Sequence, residues 1–327
     1  MQQAARLFIP MALIAAQVAG ISGAAAQQYP AKPVTLIVPF APGGPVDTVA
    51  RPVANGMGKT LKQTIVVENI GGASGNIGVA RAAKAPPDGY TILIHHMGMS
   101  TSPALFRKLE FDPLADFEYI GLIGESTSVL LARRDFPANG LKEFVDYVKA
   151  NRDKLSFAST GPSGGPPCAL LFMNAIQSAI VEVVYKSSGL GMIDLIAGRV
   201  DMMCDSVLTA APQVKAGKVK AIGATSKYRS PALPDVPTLE EQGLPGFELT
   251  NWMGLYAPKN TPAQARDRLV SALQASLRDP ETLAALNRLN FMAAAPEQAT
   301  PAALGARLKS EIERWGPILR GAAIQPN

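Results

Sequence analysis

The chain has 327 residues, 47% of them hydrophobic and 17% charged, and its 31 Lys and Arg outnumber its 26 Asp and Glu to give a formal charge of +5. That length suits one large domain or two ordinary ones. No run of four basic residues occurs, so the electrostatic footprint of a nucleic-acid binder is missing and the mild excess of charge reads as a solvated surface.

The first segment carries a targeting pattern. Arg6 precedes the apolar stretch LFIPMALIAAQVAG, and AAA at 24–26 supplies small residues for cleavage. The stretch is short for a membrane span. The expectation is a signal peptide over 1–26, cut near Ala26, with an exported chain starting near Gln27; an uncleaved anchor is the alternative.

From Pro33 onward, β-branched runs alternate with helical spacings. VTLIVPF reads as a strand that stops at Pro42-Gly43-Gly44-Pro45. Val46, Val49, Val53, Met57 and Leu61 then recur at helical spacing, with Pro52 expected to kink the helix. TIVVEN is a strand, IGGASGNIG a glycine loop, VARAAKA a short helix closed by Pro86-Pro87-Asp88-Gly89, and YTILIHH a strand. FEYIGLIGESTSVLLARRDF reads as a crossing. The grammar then resumes: KLSFAST is a strand, GPSGGPP a turn and CALLFMNAIQSA a helix. VEVVYK, VDMMCDS and VKAIGATS are strands, with the helix GMIDLIAG after the first. FELTNWMGLYAP is a return strand. Two helices close the chain, opened by Thr261-Pro262 and Thr300-Pro301 as N-cap and first-turn proline. Leu304, Leu308, Ile312 and Trp315 form one stripe of the last.

Alternating strands and helices predict parallel sheets with helices on both faces. The glycine turn occurs twice, at 42–45 and 161–167, and each would open its own lobe. The expected fold class is therefore α/β, two doubly wound lobes with a hinged cleft between them. The first lobe would comprise 27–124 and 250–327, the second 125–249.

Both turns lie at strand carboxyl ends and helix starts, where ligands of open α/β sheets bind and where unpaired N–H groups favour an anion. No Lys-Ser or Lys-Thr pair follows, so neither is a nucleotide P-loop; the alternative is a plain tight connection. Asp205 and Ser206 end VDMMCDS on the cleft side, either to meet a ligand amine, hydroxyl or water, or to cap the next helix. His96, Met97 and Ser100, in HHMGMS, suit a flat apolar or aromatic ligand body, or else a buried strand end. Trp252 lines the hinge or fills the core. Two cysteines in an exported chain permit one disulfide; Cys168 opens a helix and Cys204 ends a strand of the same lobe, but spacing alone does not pair them. The only histidines, His95 and His96, are adjacent, so neither a zinc site nor a serine-hydrolase triad is expected. No enzyme activity, metal or cofactor is expected.

The segments VPFAPGGPVDTVAR, VVENIGGASGNIG, KAPPDGYTILI, YKSSGLGMIDLIAGRVDMMCDS, KAGKVKAIGATSKYRSPALPDVPTLEEQGLPGFE and WMGLYAPKNTP, in that order across the chain, closely resemble the solute receptors of tripartite tricarboxylate transporters, the Bug family. The resemblance implies a periplasmic binding protein fold that closes on a carboxylated solute and serves the membrane subunits of such a transporter. It implies that backbone N–H groups and ordered waters hold the ligand carboxylate, at Gly43, Gly44 and Val46 in the first lobe and Thr160, Ser163 and Gly164 in the second. Pro166 and Pro167 depart from the family pattern and remove two donors there. The run HHMGMSTSPALFRKLEFDPLADFEYIG, with Cys168 and Cys204, resembles the branch that binds terephthalate and related aromatic acids. An aromatic dicarboxylate is thus favoured, with an aliphatic di- or tricarboxylate or a nicotinate-like acid left open. A periplasmic partner that presents solute to a signalling protein is also left open. A monomer, without nucleic acid, is expected.

Overall fold

The computed structural model describes residues 29–160, 167–185 and 187–321. The expected signal peptide and Ser163, Gly164 and Pro166 lie outside these residues. Strand β1 (Val34–Val38) runs parallel between β2 (Ile65–Asn69) and β3 (Thr91–His96). Strand alternation divides its side chains between two layers. Val34, Leu36 and Val38 share a core with Val46, Val49, Val53 and Met57 of α1 (Pro45–Leu61). Ile37 meets the other face, with Val79 and Ala82 of α2 (Asn76–Ala83) and Met99 and Leu105 of α3 (Gly98–Leu105). The first half is thus wound on both faces, and α1 continues through Pro52.

Strand β4 (Phe117–Arg133) leads into the second half. There follow α4 (Leu141–Asn151), β5 (Ser156–Ser159), α5 (Cys168–Ile176), β6 (Val181–Val184), α6 (Ser188–Ile196), β7 (Met202–Ser206), α7 (Val207–Lys215) and β8 (Val219–Ala224). β5 runs parallel between β6 and β7. The chain returns through β9 (Thr250–Pro258) and ends with α8 (Ala263–Ser276), α9 (Pro280–Arg288), the short β10 (Met292–Ala293) and α10 (Pro301–Gly321).

The expected pair of separate parallel sheets is in fact one continuous ten-stranded sheet, in the order β2-β1-β3-β9-β4-β7-β5-β6, with β8 and β10 also on β4. The reason is the length of β4. Its 17 residues extend for about 55 Å, enough to serve both halves. It pairs antiparallel with β9 from Phe117↔Pro258 to Thr127↔Thr250, then with β7 from Ser128↔Ser206 to Ala132↔Met202. The fold is the expected two-lobed α/β architecture, its halves joined where β4 changes partner and where Leu249 leads into β9.

Two devices fix that junction. Thr225, fully buried, donates its amide to the Ser128 carbonyl at 2.9 Å and accepts the Leu249 amide at 2.7 Å, which stitches the two crossings together. On the outer side, Arg307 of α10 reaches Glu125 on β4 at 3.9 Å and Glu248 before β9 at 3.5 Å. Trp252, 1% exposed, belongs to a core that runs from α2 and α3 to α4 and α5, so it fills the core at the junction itself.

Candidate functional site

The carboxyl ends of β1, β5 and β7 converge on a cavity of about 480 Å³. From the first half it is lined by Phe40, Ala41, Gly44, Pro45, Val46 and His96. From the crossing strands come Ser126, Ser128 and Asn251. The second half contributes Phe157, Ala158, Ser159, Thr160, Cys168, Ala169, Ser187, Ser188, Gly191, Met203, Cys204, Asp205 and Ser206.

The turn before α1 is built by local backbone requirements. Gly43 has φ 79°, a left-handed conformation that glycine adopts without strain. Gly44 is extended, at φ −73° and ψ 170°, and a Cβ there would meet the Ala41 carbonyl oxygen at 3.3 Å. Pro45 then opens the helix, a position where its missing N–H costs nothing. Asp47, 2% exposed, reaches back to accept the Gly43 amide at 2.9 Å. The same carboxylate accepts two bonds from Arg51, each 2.9 Å, and one from Asn69 at 3.0 Å. Burial works to raise its pKa, but the hydrogen bonds from Arg51, Gly43 and Asn69 outweigh it and hold the group below its ordinary range.

This corrects the role expected of Gly43. Its amide is taken by Asp47, and it does not line the cavity. The Gly44 amide closes the turn on Ala41 at 3.3 Å. Thr48 makes the first intrahelical bond, to Gly44. The Val46 and Asp47 amides therefore remain as the unpaired donors of the helix start, and Gly44 contributes open approach rather than a donor.

His96 joins this wall from the end of β3. Its Nδ1 accepts the Gly98 amide at 2.7 Å, which places the ring proton on Nε2. Phe40 stacks on it, centroids 4.8 Å apart and planes at 23°. Burial, then the neighbouring His95, push His96 down to about 3; burial brings His95 down to about 4. His96 thus offers a neutral N–H donor and a flat face. Met97 and Ser100 do not reach the cavity, contrary to expectation. The chain turns into α3 directly after His96, which puts both in the interior at 2% and 1% exposure, with the Ser100 hydroxyl donating to the Met97 carbonyl at 2.6 Å.

On the opposite wall, Cys168 at the start of α5 and Cys204 on β7 form a disulfide, with Cα atoms 6.2 Å apart, and both line the cavity. Thr160 lines it beside them. The Asp205 carboxylate accepts the Ser206 amide at 2.8 Å and the Thr209 hydroxyl at 2.7 Å, and Ser188 also bonds it. Burial raises its pKa against these three bonds. Ser206, not Asp205, is the N-cap of α7, accepting the Leu208 amide. Among the described lining residues there is no Lys or Arg, and Asp205 is the one acidic side chain. Among the described residues, no three His, Cys, Asp or Glu are grouped to hold a metal.

Phe40, Phe157, Ser126, Ser128, Ser188 and Asn251 escaped the sequence reading. A signal existed for two of them: Ser126 and Ser128 are same-face polar positions in the crossing strand, just before its apolar run 129–132. Asn251 stands likewise at the head of an apolar strand.

The family model described as tripartite tricarboxylate transporter family receptor matches residues 49–324. A protein of the ttuE-ttuC′ intergenic region of Agrobacterium vitis is 42% identical over 299 residues, covering 91% of this chain and 86% of its own. The solved periplasmic binding protein BugD is 42% identical with a TM-score of 0.76, over 91% of this chain and 99% of that one. MatC from Rhodopseudomonas palustris, solved with bound malate, is 38% identical with a TM-score of 0.75, over 89% and 100%.

Proposed function

The chain belongs to the tripartite tricarboxylate transporter receptor family, and from that premise we propose that it captures a carboxylated small molecule in the periplasm and hands it to the membrane subunits of such a transporter. The observation that carries this reading is the start of α1. Val46, whose amide has no intrahelical partner at the helix start, lines a cavity whose described lining residues include no Lys or Arg. Each charge-assisted hydrogen bond to a carboxylate contributes about 1.5–3 kcal/mol, and the helix dipole adds about 0.3–1 kcal/mol. No cationic side chain is needed for the grip.

The ligand contacts in this reading are Gly44, Val46 and His96 on the first wall, and Thr160, Asp205 and Ser206 on the second. The stacked Phe40 and His96 rings, with Phe157 opposite in the lining, favour a flat aromatic body, for which terephthalate is the first test compound. An aliphatic acid is the second reading, because the similar MatC was solved with malate. Capture would close the segments 27–124 and 250–327 against 125–249 about β4 and the Leu249–Thr250 link.

A thermal-shift screen of the exported chain against terephthalate, nicotinate, malate, succinate and citrate tests the proposal. A specific ligand at a hundredfold its Kd adds about 2.7 kcal/mol of stability, and small-angle scattering should show a smaller radius of gyration in its presence. No stabilisation by any carboxylate would sink the carrier reading.

A further inference from the structure

We propose that the Asp205 end of the cavity is an acceptor subsite, and that it selects carboxylates bearing a hydrogen-bond donor, a hydroxyl or an ammonium group, over those whose far end is a second ionised carboxylate. The proposal rests on the carrier reading above and names the substrate class within it.

The first wall ends in a helix N-terminus, equivalent to about half a positive charge. The second wall carries the Asp205 carboxylate, the one acidic side chain among the described lining residues, and none of these is a Lys or Arg that would offset it. Among the described residues no charged side chain acts on Asp205 from behind: its partners there are the Ser206 amide and the hydroxyls of Thr209 and Ser188. The cavity is therefore polarised, with donors at one wall and an uncompensated anion at the other. Asp47 is handled quite differently, since Arg51 neutralises it at 2.9 Å.

The donor and acceptor inventory points the same way. A carboxylate accepts only, and its two oxygens have about four lone-pair sites. Three are used within the second wall. Ser188 spends its proton on Asp205, which leaves it as an acceptor toward the cavity. Asn251, on the crossing strand, lines the same cavity with a buried side-chain oxygen that has no hydrogen-bond partner. Buried acceptors left without a donor are costly. A ligand hydroxyl or ammonium satisfies them, whereas a second carboxylate brings further acceptors and a like charge into a desolvated site.

Matched ligand pairs test this by isothermal titration: 4-(aminomethyl)benzoate against terephthalate, and 4-hydroxybutyrate against succinate. The donor-bearing member of each binding pair should bind about tenfold tighter or better, the worth of one such hydrogen bond. Asp205→Asn keeps one acceptor oxygen and removes the charge. It should bring the two members within about threefold of each other, chiefly by improving the diacid. Thr209→Val, which leaves the Asp205 charge in place, should keep the preference and guards against a trivial folding defect in the first variant. If Asp205→Asn weakens both members equally, the carboxylate is only a structural brace for α6 and α7 and the proposal fails. Terephthalate or succinate binding as tightly as its partner to the native chain overturns the subsite but leaves the carrier reading intact. Failure of every carboxylate to bind removes both.

Discussion

Asp47 and Asp205 stand at the two walls of one cavity, 2% and 6% exposed, yet their surroundings are opposite. Asp47 lies behind its wall. It has a cation and holds the Gly43 amide. Asp205 lies in the lining, and among the described residues its partners are an amide and two hydroxyls. A buried carboxylate given a cation becomes part of the scaffold, and one given only neutral donors keeps capacity for a ligand. The first wall is held by that side-chain network; the second is held by the Cys168–Cys204 disulfide.

The largest expected effect comes from breaking the second wall. The disulfide closes a loop with a sequence separation of 36, which the chain-entropy model converts to about 4 kcal/mol as an upper figure. Cys168→Ser with Cys204→Ser, or a reductant, should lower the denaturant midpoint and weaken ligand binding while α1 and its turn remain intact. Two free thiols in the denatured, unreduced protein would remove the basis of the comparison. On the first wall, Asp47→Ala should cost about 1–3 kcal/mol, since it orphans the Gly43 amide, and the loss should appear in both urea midpoint and ligand affinity. Gly44→Val should fold but bind about tenfold more weakly or worse: its Cβ crowds the Ala41 carbonyl and stands where the anion approaches the Val46 amide.

Much of this arrangement was legible in the sequence, because it is encoded locally. The strand, glycine turn, proline and helix of 34–61 are consecutive, and each residue type is selected by a backbone need at that position. The two cysteines could be brought within reach by element order alone. What escaped depends on register and long-range pairing. Nothing local says that β4 is long enough to merge two sheets, or that Asn251 of β9 would pair opposite Ser126. The partner of the Gly43 amide was missed because Asp47 reads as an ordinary acidic first-turn residue until Asn69, on another strand, is seen to hold it. Met97 and Ser100 were placed in the site because they follow His96 in sequence; one change of direction into α3 separates them from it.

The two aspartates should also pull stability in opposite directions with pH. Asp47 has a lowered folded pKa, so its contribution is present above the ordinary carboxylate value of 3.8 and is lost as pH falls below it. Asp205 has a raised folded pKa. Its contribution is present below 3.8 and is lost as pH rises through the folded value. Urea midpoints of Asp47→Asn and Asp205→Asn, taken from about pH 3 to pH 7, should therefore diverge. Relative to the native chain, the first variant is weakest near neutrality and the second gains there. Parallel curves for the two variants would mean that the walls do not differ electrostatically.

The smallest effect should come from Arg51, and its smallness is informative. Arg51 makes two bonds to Asp47, but its side chain is 55% exposed, so water replaces much of what Arg51→Ala removes. Asp47 would still accept the Gly43 amide and the Asn69 side chain, so the turn keeps its shape. Ligand affinity should then change by about twofold or less. A receptor that held its anion by a buried guanidinium would instead lose binding outright on this substitution. Titration of Arg51→Ala beside Gly44→Val with the same carboxylate separates the cases. If Arg51→Ala abolishes binding and Gly44→Val does not, the cation is the grip, and the division of labour between a scaffold aspartate and a ligand-facing one is wrong.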